Sequence, residues 1–387
     1  MRTNTRKMGP FLSRAGTGFG LLGAVILPLT ILCVGQPATQ RAAAGVSTRA
    51  NTGTNWSQFH RHNMVRWNPN ERILNVKTVR KLTLKWSFGS VASSPVVANS
   101  VVYIGSGRGV YALDAESGTK LWSFAADSTV GSPAVAYGLV FIGSEDGWLY
   151  ALNACAGALT WKRQIGSSIG DAISAPAAEK GIIYVGVGKY DGATIYALHA
   201  QTGRKVWTYE GGWINTEGAI ANGIVYFGEL GGRFYALNAN TGAQMWDVYL
   251  DASPAVTDGV VYVGGAALDA RTGALLWNSG VRAFVAPAVA NGVVYFAADS
   301  LYALDAKTGA KLWRRPLSFQ YSESSPAVAG GVVYVGSDDH SLDAFNAKSG
   351  NMLWSYRTGD VVISSPVVVN GMVYVGSLDG KFYAPLA

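Results

Sequence analysis

The chain has 387 residues, 49% of them hydrophobic and 14% charged, so it can bury a large core and is not a disordered polymer. Its formal charge of +7 suggests an anionic partner until the bases are located: Arg2, Arg6, Lys7, Arg14 and Arg41 sit in an acid-free leader, and 31 bases less those five leave 26 against 24 acids. A body so nearly neutral excludes nucleic-acid binding through bulk charge.

Residues 1–44 read as a signal peptide or N-terminal anchor. A basic stretch from Met1 to Arg14 precedes an apolar run from Leu21 to Val34, and Ala42-Ala43-Ala44 fits a cleavage site. An uncleaved anchor is the alternative, since the run approaches bilayer length, although Pro28 interrupts it. Membrane contact is expected only through this leader. Lipidation at Cys33 is disfavoured, because Leu32 stands where a small residue is wanted. Without the leader Cys155 would be the one remaining cysteine, which excludes a disulfide framework and reads as a tolerated turn thiol.

A Ser/Thr/Gly/Asn linker over 45–54 leads into Asn55-Trp56-Ser57-Gln58-Phe59-His60-Arg61-His62, then Asn68-Pro69-Asn70, then an alternating stretch from Val79 to Trp86 that predicts a half-buried strand. His60 and His62 would share one side of an extended segment, but nothing nearby completes a zinc site.

From there to the C-terminus the pattern is regular. A Ser-Pro-Ala-Val strand, a turn, a Val-Val-Tyr-Val-Gly strand, a Gly/Asp turn, a Tyr-Ala-Leu-Asp strand and a Thr-Gly turn precede a strand bearing tryptophan. Four short strands joined by tight turns make one propeller blade. Asn222-Gly223, Asn291-Gly292 and Asn370-Gly371 supply the positive φ angles of tight hairpins.

Eight first strands begin at Ser94, Ser132, Ala175, Glu217, Ser253, Ala286, Ser325 and Ser365, and eight tryptophans close the units: Trp86, Trp122, Trp161, Trp207, Trp246, Trp277, Trp313 and Trp354. The first tryptophan precedes the first start, and the last copy, ending at Tyr383-Ala384, stops short of one. A closed ring explains the offset if the strand from Leu82 to Phe88 completes the final blade. The fold class is therefore all-β, an eight-bladed propeller of four-stranded antiparallel blades over 55–387, closed by an N-terminal strand. Spacing between closing tryptophans runs from 31 residues, where Gly264 to Ala267 shorten a hairpin, to 46, with extra residues at Gly186 to Thr194 and near Gly211 to Ile214. Such changes map to the faces of the ring.

The phrase Ala-x-Asp-x-x-Thr-Gly-x-x-x-Trp stands seven times in register, beginning at Ala112, Ala151, Ala197, Ala236, Ala267, Ala303 and Ala344. It resembles the tryptophan-docking motif of the pyrroloquinoline-quinone (PQQ) repeat superfamily, and the stretch from Trp56 to Trp86 resembles the lead-in of those proteins. The resemblance implies an eight-bladed ring in which each indole docks on the adjacent blade, a structural role for the eight tryptophans. It leaves chemistry open between two branches. Quinoprotein dehydrogenases bind PQQ and calcium in a central funnel and carry adjacent cysteines, which this shorter chain lacks. The BamB-like branch implies an exported scaffold for protein partners in the cell envelope, periplasmic or envelope-anchored and without a cofactor, and that branch is favoured here.

First strands line a propeller's channel, so the acids near them are the funnel candidates. Glu217 stands where other blades carry Ser or Ala. With Asp171, Glu229, Asp251, Arg282 and Glu323 it could form a calcium or cofactor site, the simpler reading being a solvated carboxylate in a wet channel. No residue is assigned as catalytic or as a metal ligand. Asp338-Asp339-His340 and Glu145-Asp146-Gly147 fall at hairpin turns, where acids serve turn geometry. Trp148 and Trp213, off the docking register, raise the third reading of a sugar- or polymer-binding module.

Overall fold

The computed structural model describes residues 55–61, 65–89, 93–167, 172–189, 192–211, 213–214, 217–230, 232–250, 252–317 and 323–387. The leader, the linker, His62, Asp171 and Asp251 lie outside the described residues. Within them, the strands form eight antiparallel sheets, and each sheet is one blade. Blade 1 runs through Val96–Ala98, Val101–Ser106, Gly109–Asp114 and Lys120–Ala125, and the later blades repeat that order. β-branched and aromatic residues alternate along these strands because both faces of each blade pack on a neighbour. The turns match their chemistry: Asn222 and Gly223 take φ of 53° and 76°, as a two-residue hairpin requires.

Each blade's three-residue first strand packs against that of the next, and the first strand of blade 8, Val367–Val369, packs against that of blade 1. The ring is closed. Its final blade takes its outermost strand, Thr83–Phe88, from the N-terminal side, antiparallel to Lys381–Leu386.

The rim repeats one contact. The indole of Trp313 donates from Nε1 to Ala347 O of the next blade at 3.0 Å, and a Cβ on Gly350 would lie 2.7 Å from its ring. Trp86 makes the same bond to Ala115 O of blade 1 at 3.3 Å, across the closure. Blade 8 has no Thr-Gly turn of its own, so Trp354 donates to Leu82 O instead, at 3.0 Å, just before the closing strand. In every outer strand the register slips by one residue immediately before the tryptophan; Ala303 faces Trp313 and Leu304 faces Lys311, which leaves Leu312 unpaired. Bulges of this kind twist an edge strand away from further pairing.

The spacing irregularities become architecture. Blade 3 has eight-residue strands, Ile182–Lys189 and Gly192–His199, and a short added strand, Ala172–Ile173; blade 4 gains Trp213–Ile214. Blade 5 is cut to four-residue strands, Val260–Val263 and Ala266–Asp269, joined by Gly264 and Gly265 at φ of 59° and 86°. A raised wall thus stands beside a notch on the face that carries the turns between second and third strands.

Cys155 does lie in a turn, where its N–H donates to Asn153 Oδ1 at 3.0 Å. One expectation is corrected. Residues 59–61 form a turn, with Arg61 at φ 57°, so the extended run that would have aligned two histidines does not exist at His60.

Candidate functional site

The channel is built from eight first strands, each too short to pair on its inner side with a neighbour. Their inward main-chain groups need partners. The lead-in segment supplies them, at the same place in each blade it meets: the second residue after the proline.

Trp56 exchanges two bonds of 2.7 Å with Val97 of blade 1, and Ser57 O accepts from Val135 N of blade 2 at 2.7 Å. In blade 3 the Gln58 amide stands in for a strand, its Oε1 accepting from Ala178 N at 2.7 Å and its Nε2 donating to Ala178 O at 3.3 Å. Val65 O accepts from Val289 N of blade 6 and Arg66 O from Val328 N of blade 7, at 2.9 and 3.0 Å. Trp67–Asn68 then pairs in parallel with Val328–Ala329, and Asn68 Nδ2 donates to Val368 O of blade 8 at 2.8 Å. The segment therefore winds round the channel in blade order. It leaves along the turns of blades 7 and 8, where Glu71 accepts from Gly371 N at 3.2 Å and from Ile73 N and Leu74 N at 2.8 and 3.0 Å.

Arg66 anchors the winding. It is 1% exposed, and its guanidinium donates to Pro326 O at 3.0 Å, Phe59 O at 2.5 Å and Pro366 O at 2.8 Å while lying over the rings of Phe59 and Trp56. Burial pushes its pKa down to about 9 against the pull of the Glu217 carboxylate, and burial likewise takes Arg61 to about 10. Phe59 packs between Ala175 and Ala286, the residues before the prolines of blades 3 and 6. Serines at that level form a belt across the ring closure: Ser325 N donates to Ser365 Oγ at 3.0 Å, Ser365 N to Ser94 Oγ at 2.9 Å and Ser94 N to Ser132 Oγ at 3.2 Å.

Glu217 does reach this belt, where its Oε2 accepts from Ser253 Oγ at 2.8 Å. The other described candidates do not join it. Glu229 is buried in blade 4 and accepts from Tyr235 Oη at 2.9 Å, while Arg282 and Glu323 are exposed. Trp148 is half-buried beneath the Lys162 ammonium at 4.6 Å; the side chain of Trp213 lies outside the described residues. Asp338 to His340 and Glu145 to Gly147 do form hairpin turns. Calcium takes six to eight oxygens. Among the described residues the belt converges one carboxylate, already hydrogen-bonded, and no group of three or more His, Cys, Asp or Glu is placed to hold a metal. Asp171 and Asp251, the remaining acids expected at the channel, lie outside the described residues.

Sequence reasoning marked Glu217 but missed the channel segment as a set of contacts. The signal available was a tryptophan, two arginines and an asparagine in a stretch that lacks the repeat and yet is buried.

The family model described as outer membrane protein assembly factor BamB matches residues 46–210, 191–267 and 264–385. The chain is 26% identical over 272 residues to the tetrathionate hydrolase of Acidithiobacillus ferrooxidans, which covers 59% of this chain and 53% of the hydrolase. It is 27% identical over 240 residues to the BamB of Moranella endobia, covering 52% of this chain and 60% of that protein. These matches span little more than half the length of either relative. Among solved structures, a europium-containing methanol dehydrogenase superposes with a TM-score of 0.74 at 16% identity, over 87% of this chain and 98% of that one, a likeness of fold.

Proposed function

The chain belongs to the BamB family of PQQ-like propellers, and from that premise we propose that it is an exported, non-catalytic scaffold of the cell envelope that binds protein segments on a face of its ring. One observation carries this reading: the lead-in segment occupies the channel at the level of the first strands, which leaves the faces as the surfaces a partner can reach. The wall of blades 3 and 4 beside the notch of blade 5 gives one face the uneven relief that a docked loop or added strand uses. The basic and apolar leader supports export and membrane contact, and the near-neutral body supports protein over nucleic acid as partner. No cofactor is part of this reading.

The competing reading is a PQQ-dependent oxidoreductase acting on alcohols or sugars, with calcium, in the manner its dehydrogenase neighbours suggest. One experiment separates them. The purified chain is titrated with PQQ and calcium, and dye reduction is followed with simple alcohols and sugars. The scaffold reading expects neither binding nor turnover, together with recovery of envelope proteins after crosslinking in cells. Tight PQQ binding with turnover would overturn it.

A further inference from the structure

The two faces of the ring differ in charge, although the body as a whole is nearly neutral. The difference is sharpest across blades 6 to 8. The turns between first and second strands and those between third and fourth strands lie on one face, and there Lys307 and Lys311 of blade 6 and Lys348 of blade 7 are exposed. The lead-in chain runs over that same face: Leu74 O lies against Gly330 in the first turn of blade 7, and Glu71 accepts from Gly371 N in the first turn of blade 8. It adds Arg72, Lys77, Arg80 and Lys81, all exposed. Two acids share the sector, and both are turned to the main chain. Glu71 is 4% exposed and accepts from three N–H groups, while half-buried Asp305 accepts from Lys307 N and Thr308 N at 3.1 and 2.8 Å. Among the described residues no exposed acidic side chain stands in this sector. The opposite face of the same blades is the reverse, with Asp299, Asp338, Asp339 and Asp379 at its hairpins.

We propose that this sector, the turns of blades 6 to 8 with residues 70–82 over them, docks the ring on an anionic phospholipid surface. Charge complementarity is the first support: clustered bases beside few acids are what such a surface attracts. Aliphatic side chains are interleaved with the bases, and this is the second. Ile73 is 50% exposed beside Arg72, Leu312 53% beside Lys311, and Met352 54% just past the turn that bears Lys348. At a bilayer interface the cations meet headgroups while the aliphatics reach the acyl boundary. The third support is where the chain enters, and it favours a bilayer over an acidic protein. Asn99 N, in the first turn of blade 1 on this same face, donates to Asn55 Oδ1 at 3.0 Å. Only residues 45–54 separate that point from the basic and apolar leader, a reach of at most about 36 Å. The contact is additional to the leader and is made by the folded ring itself. It turns the other face, with the wall of blades 3 and 4 and the notch of blade 5, away from the lipid and toward a protein partner.

Acylation of the full chain by a water-soluble amine reagent, read lysine by lysine by mass spectrometry, tests this. With vesicles of phosphatidylglycerol and phosphatidylcholine, Lys307, Lys311 and Lys348 are expected to react at least about fivefold more slowly, the factor that one cation near such a surface is worth. Lys162 and Lys381, toward the other face, should keep their rates. The combined variant Lys307→Glu, Lys311→Glu and Lys348→Glu should bind these vesicles roughly a hundredfold more weakly. Its control, Arg108→Glu, Arg282→Glu and Lys381→Glu, changes net charge equally on the opposite face and should lose less than about fivefold. The leader is present in every sample, so its own affinity cancels. The proposal is overturned if phosphatidylcholine vesicles alone protect the three lysines equally, if lysines of both faces are protected alike or not at all, or if the two variants lose affinity equally. Protection by poly-glutamate but not by anionic vesicles overturns it in favour of an acidic protein. Should a charge reversal unfold the ring, the lysine footprint of the wild-type chain decides by itself.

Discussion

The rim and the channel hold the molecule in opposite ways. Around the rim one contact is made eight times, an indole over the adjacent blade with its Nε1 on a main-chain carbonyl. In the channel one first-strand position is met by unlike groups: a main-chain pair at Trp56, single carbonyls at Ser57, Val65 and Arg66, and side-chain amides at Gln58 and Asn68, with the Arg66 guanidinium reaching carbonyls of blades 7 and 8. Repetition makes the rim's contribution additive and local, as in other repeat arrays. The channel segment instead ties blades far apart in sequence to one short stretch, so a lesion there is felt across the ring. The rim contacts set the architecture, and the lead-in's contacts fill the channel.

The largest expected effect is at the rim. Trp313→Ala removes a buried indole and its bond to Ala347 O, at a cost of roughly 3–5 kcal/mol in denaturant unfolding. A loss below about 1 kcal/mol would mean that the indoles cover the blades without holding them. Gly330→Ala comes next and strikes where the lead-in chain meets the ring. Its φ is +56°, and a Cβ would lie 1.8 Å from Leu74 O, so the lead-in chain must shift; about 2–3 kcal/mol is expected, with faster exchange at residues 71–75 and unchanged exchange on the far side of the ring. Slower still to harm stability is Gln58→Glu. It removes the donor to Ala178 O and sets a carboxylate in a buried place, for roughly 1–3 kcal/mol by the same measurement, whereas Gln58→Asn, too short to reach Ala178, should cost a similar amount without pH dependence.

The same contrast explains what could be read from the residues alone. Blade number, closure and the location of the irregular blades were legible because proline, glycine and tryptophan recur, and because the offset between Trp86 and Ser94 implies a strand lent across the ring. Trp354 bonding Leu82 O is the structural form of that offset. The channel has no period to read. Arg66 meets carbonyls 260 and 300 residues away, and no local pattern marks such a partner. His60 looked like one side of an extended run, since nothing in the residue type announces that Arg61 adopts a positive φ and turns the chain. Glu217 was legible as an outlier within a repeated position; Glu229 was not, because its partner Tyr235 belongs to the hairpin's other strand.

The smallest effect is expected at the bulges, and it bears on what the outer edge is for. Leu312 is 53% exposed and lies outside the ladder between Ala303–Trp313 and Leu304–Lys311. If the bulge exists to seat Trp313 and to bend the edge away from other strands, the leucine itself contributes little to the fold, and Leu312→Lys should change unfolding free energy by no more than about 0.5 kcal/mol. Loss of a larger amount would show that the exposed aliphatics pack on something at the rim. Deleting Leu312 is the sharper form of the test. It leaves Ala303 opposite Trp313 and Leu304 opposite Lys311 in an unbroken ladder that has lost only the bulge's local twist; a cost approaching that of Trp313→Ala would show that the bulge itself holds the indole over Gly350, and a mild result would separate the two.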